Sequence, residues 1–231
     1  TINTIRPIGG TRSLPRFNAG IADGGVARTL TFNNNGPNNT EEAAVITGAS
    51  SLIAASQIAF TGNQPFRLVI QNAGAAGNAS LRQSNTAATV LDFRSDVNAT
   101  FNNNLILDNS VEMRESRVNA GSGVTLTIGS VTFNNPVTLT MTTTANINTN
   151  YQFNVAGVVL GANGTISVSN NGTGAGTFNV TGTVTESGGA RDFIKGGAGT
   201  LVLNGAASYT GSTVIDRGSL VFAVDQTLTG G

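Results

Sequence analysis

Hydrophobic and polar residues alternate with a period of two in short runs along much of the chain. Clear examples are Val124–Ile128, Val137–Met141 and Thr165–Val168. Each run is bounded by Gly, Asn or Pro, and successive side chains of a β-strand point to opposite faces. The pattern therefore predicts short β-strands between tight turns, each strand with one apolar and one polar face.

A five-residue unit recurs, in which Gly is followed by Thr or Ser, an apolar residue, any residue and a second apolar residue. It occurs at Gly129–Phe133, Gly164–Val168, Gly176–Val180, Gly199–Leu203 and Gly218–Phe222. A longer match relates Gly174–Gly182 to Gly197–Gly205, 23 positions further on, which suits one coil of a solenoid. The last four short copies are unevenly spaced, with gaps of 12, 23 and 19, which we interpret as corners of variable length.

Three Asn-Gly dipeptides lie where such corners are expected, at Asn163-Gly164, Asn171-Gly172 and Asn204-Gly205. Asn and Gly both tolerate the left-handed backbone conformation that a tight corner requires. The same dipeptide also marks β-hairpins, so these residues leave an antiparallel sandwich open.

The segment Arg191–Phe222 carries a more specific pattern. A Lys-Gly-rich block at Lys195–Gly205 is followed by Tyr-Thr-Gly-x-Thr-x-Val at Tyr209–Val214 and by Gly218–Leu220. Together with the residues that precede it, this segment resembles the autotransporter-associated β-strand repeat, most clearly over residues 186–222. One extra Gly within Lys195–Gly205 departs from the repeat.

The resemblance implies a right-handed parallel β-helix in a large secreted or surface-displayed bacterial protein, and a scaffold element without catalytic residues. We therefore predict an all-β fold, a β-solenoid with an irregular N-terminal cap or arm. Residues 1–28 are assigned to the arm or cap and 29–231 to the solenoid, with the repeat at 186–224. Thr40 as N-cap before Glu41 and Glu42 would suit a short helix, but the β-branched residues around Gly48 favour strands.

The amino-acid composition excludes several classes of catalytic chemistry and of binding partner. The chain has no His, Cys or Trp, which removes the commonest general base, the thiol nucleophile and disulfides. Only 10% of residues are charged and the net charge is zero, so we expect neither nucleic acid as a partner nor membrane insertion by this segment. The 39% hydrophobic content argues against disorder.

One dense charge cluster runs from Asp92 to Arg117. It holds Asp92, Arg94, Asp96, Asp108, Glu112, Arg114, Glu115 and Arg117. If it formed an acidic groove, the candidates for polysaccharide cleavage would be Asp92, Asp96, Asp108 and Glu112. The alternation of Val111-Glu112-Met113-Arg114 favours a solvated face with a cross-charged pair instead. We therefore assign no catalytic, cofactor-binding or metal residue and expect no cofactor.

The sequence thus predicts a non-enzymatic, structural or adhesin-like β-solenoid segment, located outside the cell or on the bacterial cell surface. Expected partners are the chain itself or neighbouring repeats through the solenoid ends, and surface glycans or other cells. One alternative is a self-assembling fibre, because Ser219–Val224 resembles a last strand without a polar cap, so that further chain or another subunit would stack there. The other alternative is a carbohydrate-active β-helix enzyme.

Overall fold

The computed structural model describes residues 2–5, 16–35, 42–143, 149–172 and 174–226. In these residues there are 23 strands and no helix. The strands in chain order are β1 Ile2–Ile5, β2 Arg16–Phe17, β3 Thr29–Asn34, β4 Glu42–Ile46, β5 Gln57–Gly62, β6 Phe66–Ile70, β7 Ser80–Gln83, β8 Thr89–Arg94, β9 Ala99–Thr100, β10 Leu105–Leu107, β11 Val111–Ser116, β12 Thr125–Ile128, β13 Val131–Phe133, β14 Val137–Thr143, β15 Tyr151–Val155, β16 Val158–Leu160, β17 Gly164–Val168, β18 Gly176–Val180, β19 Val184–Glu186, β20 Phe193–Gly196, β21 Thr200–Leu203, β22 Thr213–Ile215 and β23 Ser219–Phe222.

These strands form three sheets, and neighbouring strands of a sheet run parallel. The first sheet has eight strands in the order β1-β3-β5-β7-β10-β13-β16-β19, and the second has nine in the order β2-β4-β6-β8-β11-β14-β17-β20-β22. The third has six, β9-β12-β15-β18-β21-β23. The chain visits the sheets in turn, so it winds around one axis as a β-solenoid of about seven turns. The predicted all-β solenoid is confirmed, and the hairpin sandwich is wrong.

The core is a column of inward-facing side chains stacked from coil to coil. In the third sheet Leu126, Phe153, Phe178 and Leu201 follow one another in register, and all four are buried. Full burial of such a side chain contributes about 1.5–3 kcal/mol. No single coil encloses its own apolar side chains, so the stacking itself creates the core.

The repeat spacing has a direct structural meaning. Thr177 pairs with Thr200, and Thr200 pairs in turn with Ser219, so the last three copies of the short unit stack on one another. The gaps of 23 and 19 between these copies are therefore coil lengths in the third sheet, and the prediction that the longer match spans one coil is confirmed. The gap of 12 separates β17 from β18, which lie on different sheets of the same coil.

The N-terminal strands also join the ladders, since β1 pairs with β3 and β2 with β4. The assignment of residues 1–28 to an arm or cap stays a prediction. Glu42–Ile46 form strand β4, as the sequence favoured, and the short-helix alternative is wrong there. Thr40 and Glu41 lie outside the described residues.

The coils are closed in two ways. From residue 16 to 94, which we call the two-sheet region, the described strands belong only to the first and second sheets. In that region the third side of each coil is formed by turns, at residues 18–28, 47–56 and 71–79. From residue 95 to 222, the three-sheet region, β9 and the later strands of the third sheet close each coil.

Candidate interaction surfaces

The four carboxylates considered for polysaccharide cleavage lie on two consecutive coils, at the second sheet and its corners. Asp92 and Glu112 are on β8 and β11, while Asp96 and Asp108 are at corners. Asp108 accepts hydrogen bonds from Arg82 Nε at 2.6 Å, Ser84 Oγ at 2.5 Å and Asn134 Nδ2 at 2.8 Å. Burial alone would raise the pKa of Asp108, but these bonds lower it below its usual value.

Glu112 and Arg114 form the cross-charged pair that the alternation predicted. Arg114 Nε lies 2.7 Å from Glu112 Oε1, and Thr142 Oγ1 donates to the same oxygen at 2.5 Å. Burial raises the pKa of Glu112, but the bonds from Arg114 and Thr142 outweigh it and leave the pKa lowered. This prediction of a half-exposed ion pair is confirmed.

Asp92 departs from the predicted solvated face. Its side chain is fully buried, although it lies on the outward side of β8, between the inward-facing Leu91 and Phe93. The guanidinium of Arg94 covers it, with Nη2 2.6 Å from Asp92 Oδ2. A carboxylate covered by its own arginine partner is not available to a substrate.

Sequence reasoning missed Glu115, the one cluster carboxylate that points into the solenoid. It is fully buried, and its two oxygens accept hydrogen bonds from Val124 N at 2.7 Å and Gln152 N at 3.0 Å. Burial raises the pKa of Glu115 to about 7. The signal was present, because Glu115 continues the inward series of Val111 and Met113.

Glu115 stands at the base of a set of connections between the second and third sheets, which we call the loop edge. The loop edge comprises the described residues 95–98, 117–124, 149–150, 169–172 and 174–175, which lie between a strand of the second sheet and the next strand of the third. Corners between the third and first sheets are mostly shorter, for example 129–130 and 156–157. On solenoids, insertions collected on one face often form the binding face.

Side chains hold the loop at residues 117–124 in place. Asp96 accepts hydrogen bonds from Val118 N at 3.0 Å and from Asn119 N at 3.1 Å. Arg117 donates from Nη1 to Ser122 O at 2.7 Å. The hydrogen bonds from Asn119 and Val118 lower the pKa of Asp96, so it is ionised at neutral pH.

This fixed loop and its neighbour present apolar side chains to solvent. Val97 is 68% exposed and Val118 is 48% exposed, and they belong to loops of consecutive coils. Val97 follows Asp96, which accepts a hydrogen bond from Val118 N, so the two valines are neighbours, and grouped exposed apolar side chains mark contact surfaces. A shallow depression of about 190 Å³ lies on the second sheet, at Val90, Ser110, Val111, Glu112 and Thr140 among others. It is smaller than ordinary small-molecule pockets of about 300–1,000 Å³.

The sole lysine is buried within the predicted repeat and donates hydrogen bonds to backbone carbonyl groups. Lys195 is fully buried on β20, and its Nζ donates to the carbonyl oxygens of Gly196, Gly197 and Arg217 at 2.5, 2.8 and 2.9 Å. The first two carbonyls belong to its own corner, and the third to the next coil. Burial lowers the pKa of this ammonium, and Asp216 raises it in part. The repeat lysine thus joins two coils at one corner.

The described residues contain no helix with the length and apolar character needed to cross a membrane. They also contain no cluster of three or more His, Cys, Asp or Glu side chains arranged to hold a metal ion.

Comparison with known proteins identifies the C-terminal part of the chain. Residues 193–222 match the family described as passenger-associated-transport-repeat, so the predicted repeat is confirmed. The Adhesin BmaC autotransporter of Brucella suis biovar 1 (strain 1330) is 38% identical over a 90-residue alignment. That alignment covers 28% of this chain and 3% of that protein, so the match spans a small part of the relative's length. No solved structure matches the chain significantly.

Proposed function

We propose that this chain is a non-enzymatic, adhesin-like β-solenoid segment of a bacterial surface or secreted protein, acting outside the cell. The observation that carries the proposal is the passenger repeat at residues 193–222, set in a solenoid whose loops between the second and third sheets collect on one edge. The similarity to a protein named as an autotransporter adhesin supports the same role. The loop edge is the contact surface in this proposal.

The state of the carboxylates supports a non-enzymatic role. Asp96, Asp108 and Glu112 all have a lowered pKa, so none of them is suited to donate a proton near neutral pH. Glu115 has the raised pKa of a general acid, but both of its oxygens hold backbone N–H groups inside the solenoid. A glycosidase needs two accessible carboxyl groups in different protonation states.

Binding of the purified chain to immobilised bacterial and animal cell surfaces tests the proposal. Val97→Asp and Val118→Asp place a charge on the loop edge, and we expect each to weaken binding by about tenfold or more, as for a central contact residue. Val26→Asp is the matched control, because Val26 is 58% exposed but lies in the first coil, outside the loop edge.

Three outcomes would contradict the proposal. They are the absence of binding to every surface, equal loss of binding in Val26→Asp and the loop-edge variants, and cleavage of a polysaccharide that stops when Asp108→Asn and Glu112→Gln are combined. Circular dichroism of each variant verifies that the solenoid is intact.

A further inference from the structure

The outer face of the third sheet carries two rows of uncharged polar side chains. One row is formed in register by Thr125, Gln152, Thr177, Thr200 and Ser219. The second row is formed by Thr100, Thr127, Asn154 and Asn179, and it continues at Val202. Neighbouring members of a row are about 4.8 Å apart, because that is the spacing of adjacent strands.

Three amides on this face form a connected group, which we call the amide triad. Asn154 Oδ1 accepts hydrogen bonds from Gln152 Nε2 and from Asn179 Nδ2, both at 2.9 Å. Gln152 and Asn154 lie on β15, and Asn179 lies on β18 of the next coil. The mutual bonds orient all three groups, and a fixed orientation lowers the entropy that a ligand must remove.

The triad directs a defined set of polar atoms at solvent. Its internal bonds engage Asn154 Oδ1, one hydrogen of Gln152 Nε2 and one hydrogen of Asn179 Nδ2. Within the part of the chain that the structure describes, Asn154 Nδ2, Gln152 Oε1 and Asn179 Oδ1 have no partner. All three residues are half-exposed. The result is a mixed set of free groups on two adjacent strands: two amide oxygens, the Asn154 amide NH2, and the second hydrogens of Gln152 Nε2 and Asn179 Nδ2.

The outer face around the triad carries no formal charge, since its outward neighbours on the third sheet are Thr, Ser and Val, and Glu115 contacts Gln152 N only from inside the solenoid. No residue between Val118 and Thr185 carries a charged side chain. An anionic or cationic polymer would therefore meet no opposite charge here and would lose part of its hydration without compensation. Hydroxyl groups, which donate and accept, match a mixed set of amide donors and acceptors.

We propose that the amide triad of Gln152, Asn154 and Asn179 is a binding site for the adjacent hydroxyl groups of a neutral saccharide. This inference rests on the proposed adhesive function and names the chemical class of its ligand. The half-exposed Val202, next to Asn179 in the same row, offers an apolar contact for the C–H face of a sugar ring.

An array of immobilised neutral and anionic oligosaccharides, probed with the intact chain at low and high salt, tests the site. We expect binding to neutral glycans that changes little with salt, because no ion pair contributes. Asn154→Asp keeps the oxygen that accepts from Gln152 and Asn179 but replaces the outward donor by an acceptor. We expect it to weaken binding by about tenfold or more, the effect of one lost hydrogen bond.

Asn204→Asp is the matched control, since it introduces the same charge at an exposed corner residue outside the triad. It should retain wild-type binding. Three results would overturn the inference: no neutral glycan bound, binding only to anionic glycans or to protein, or equal loss in the two variants. If the chain still adheres to cells through the loop edge while binding no neutral glycan, the site is wrong and the adhesive function stands.

Discussion

The two-sheet and three-sheet regions enclose similar apolar columns by different means. In the three-sheet region, strands such as β12 and β15 close the third side with backbone ladders. In the two-sheet region the same side is built from turns whose buried residues are mostly small, including Ala75, Ala76 and Ala79, with Leu52 as the larger exception. The difference shows that a solenoid side needs buried volume and satisfied backbone groups, and a strand is only one way to supply them.

In the turns, side-chain hydrogen bonds supplement a few backbone bonds, such as Ser50 N to Gly74 O and Ser51 N to Ile21 O. Asp23 accepts hydrogen bonds from Ile53 N at 2.8 Å and Ser56 Oγ at 2.6 Å. Ser50 Oγ donates to Ala75 O, and Asn72 Nδ2 donates to Thr47 O. Each of these bonds joins one coil to a neighbouring coil. Because single side chains make part of the bonds in this wall, the two-sheet region should depend on individual polar residues more than the three-sheet region does.

Removal of one core phenylalanine in each region should give the largest effect. Phe60 stacks on Phe32 with centroids 6.1 Å apart, and Phe153 meets Phe93 edge-on at 6.0 Å. Phe60→Ala and Phe153→Ala should each lower the free energy of unfolding by about 3–5 kcal/mol. Urea denaturation measures the loss, and hydrogen exchange locates it. Because coils contact only their neighbours, loss of protection should centre on the mutated region. Uniform loss along the chain would show a single cooperative unit.

A buried asparagine that bonds to the wall of turns should contribute to the free energy of unfolding, whereas an asparagine on the outer face should not. Asn103 Nδ2 donates to Ala79 O at 2.7 Å and Gly77 O at 3.2 Å, and the residue is 1% exposed. Asn103→Ala should cost about 1–3 kcal/mol, because it leaves buried carbonyls without donors. Asn179→Ala, on the outer face, is the control and should stay within about 0.5 kcal/mol of wild type. Similar thermal-denaturation shifts in both variants would contradict the contrast.

The three-sheet region has a comparable polar dependence at the repeat lysine. Lys195→Met keeps the length of the side chain but removes the donor to three carbonyls, so we expect a loss of about 1–3 kcal/mol. Arg217→Met serves as the control, because the Arg217 side chain is exposed and the hydrogen bonds between Arg217 and Lys195 use only the Arg217 backbone. Chemical denaturation of both variants distinguishes the roles, and equal stability of Lys195→Met and wild type would refute the coil-joining role.

Glu115 should make stability depend on pH. Burial raises the pKa of Glu115 from 4.5 to about 7, so the folded state binds its proton more tightly than the unfolded state does. The resulting contribution to the free energy of unfolding is fully present below pH 4.5 and is lost as the pH rises through about 7. The expected slope in this window is on the order of 1 kcal/mol per pH unit. Glu115→Gln should flatten it in a series of urea titrations. Glu112 has a lowered pKa, so its contribution to the free energy of unfolding is lost only as the pH falls below the range in which Glu115 titrates. Glu112→Gln should therefore keep the dependence of stability on pH between 4.5 and 7. An unchanged slope in Glu115→Gln would rule out this origin.

The smallest effect should come from the ion pair on the second sheet. Both side chains are partly exposed, and a double-mutant cycle of Glu112→Gln and Arg114→Met should give a coupling of about 0.2–1 kcal/mol. The coupling should fall as salt is added. A coupling well above this range would mean that the charge cluster stabilises the middle coils directly.

The sequence predicted most of the fold where its pattern was regular. Alternation marked the strands around Leu126 and Ile166, and the repeat of Gly174–Gly182 at Gly197–Gly205 gave the length of one coil. In the two-sheet region the third side has no alternation, because its turns bury Ala and backbone. No periodic signal therefore predicted that side. The loop edge was also not predicted, because a corner's length does not show which sheets it joins.

The chain alone determined that short strands, each with one apolar face, would wind into coils, since inward and outward positions are set by the two-residue period of a strand. Tertiary structure alone decided which residues meet between coils. Glu115 reaches Gln152, Lys195 reaches the carbonyl of Arg217, and Asn154 reaches Asn179. Each contact joins residues about one coil or more apart, and the register between coils depends on every corner in between. The local patterns of the sequence therefore do not specify the register between coils.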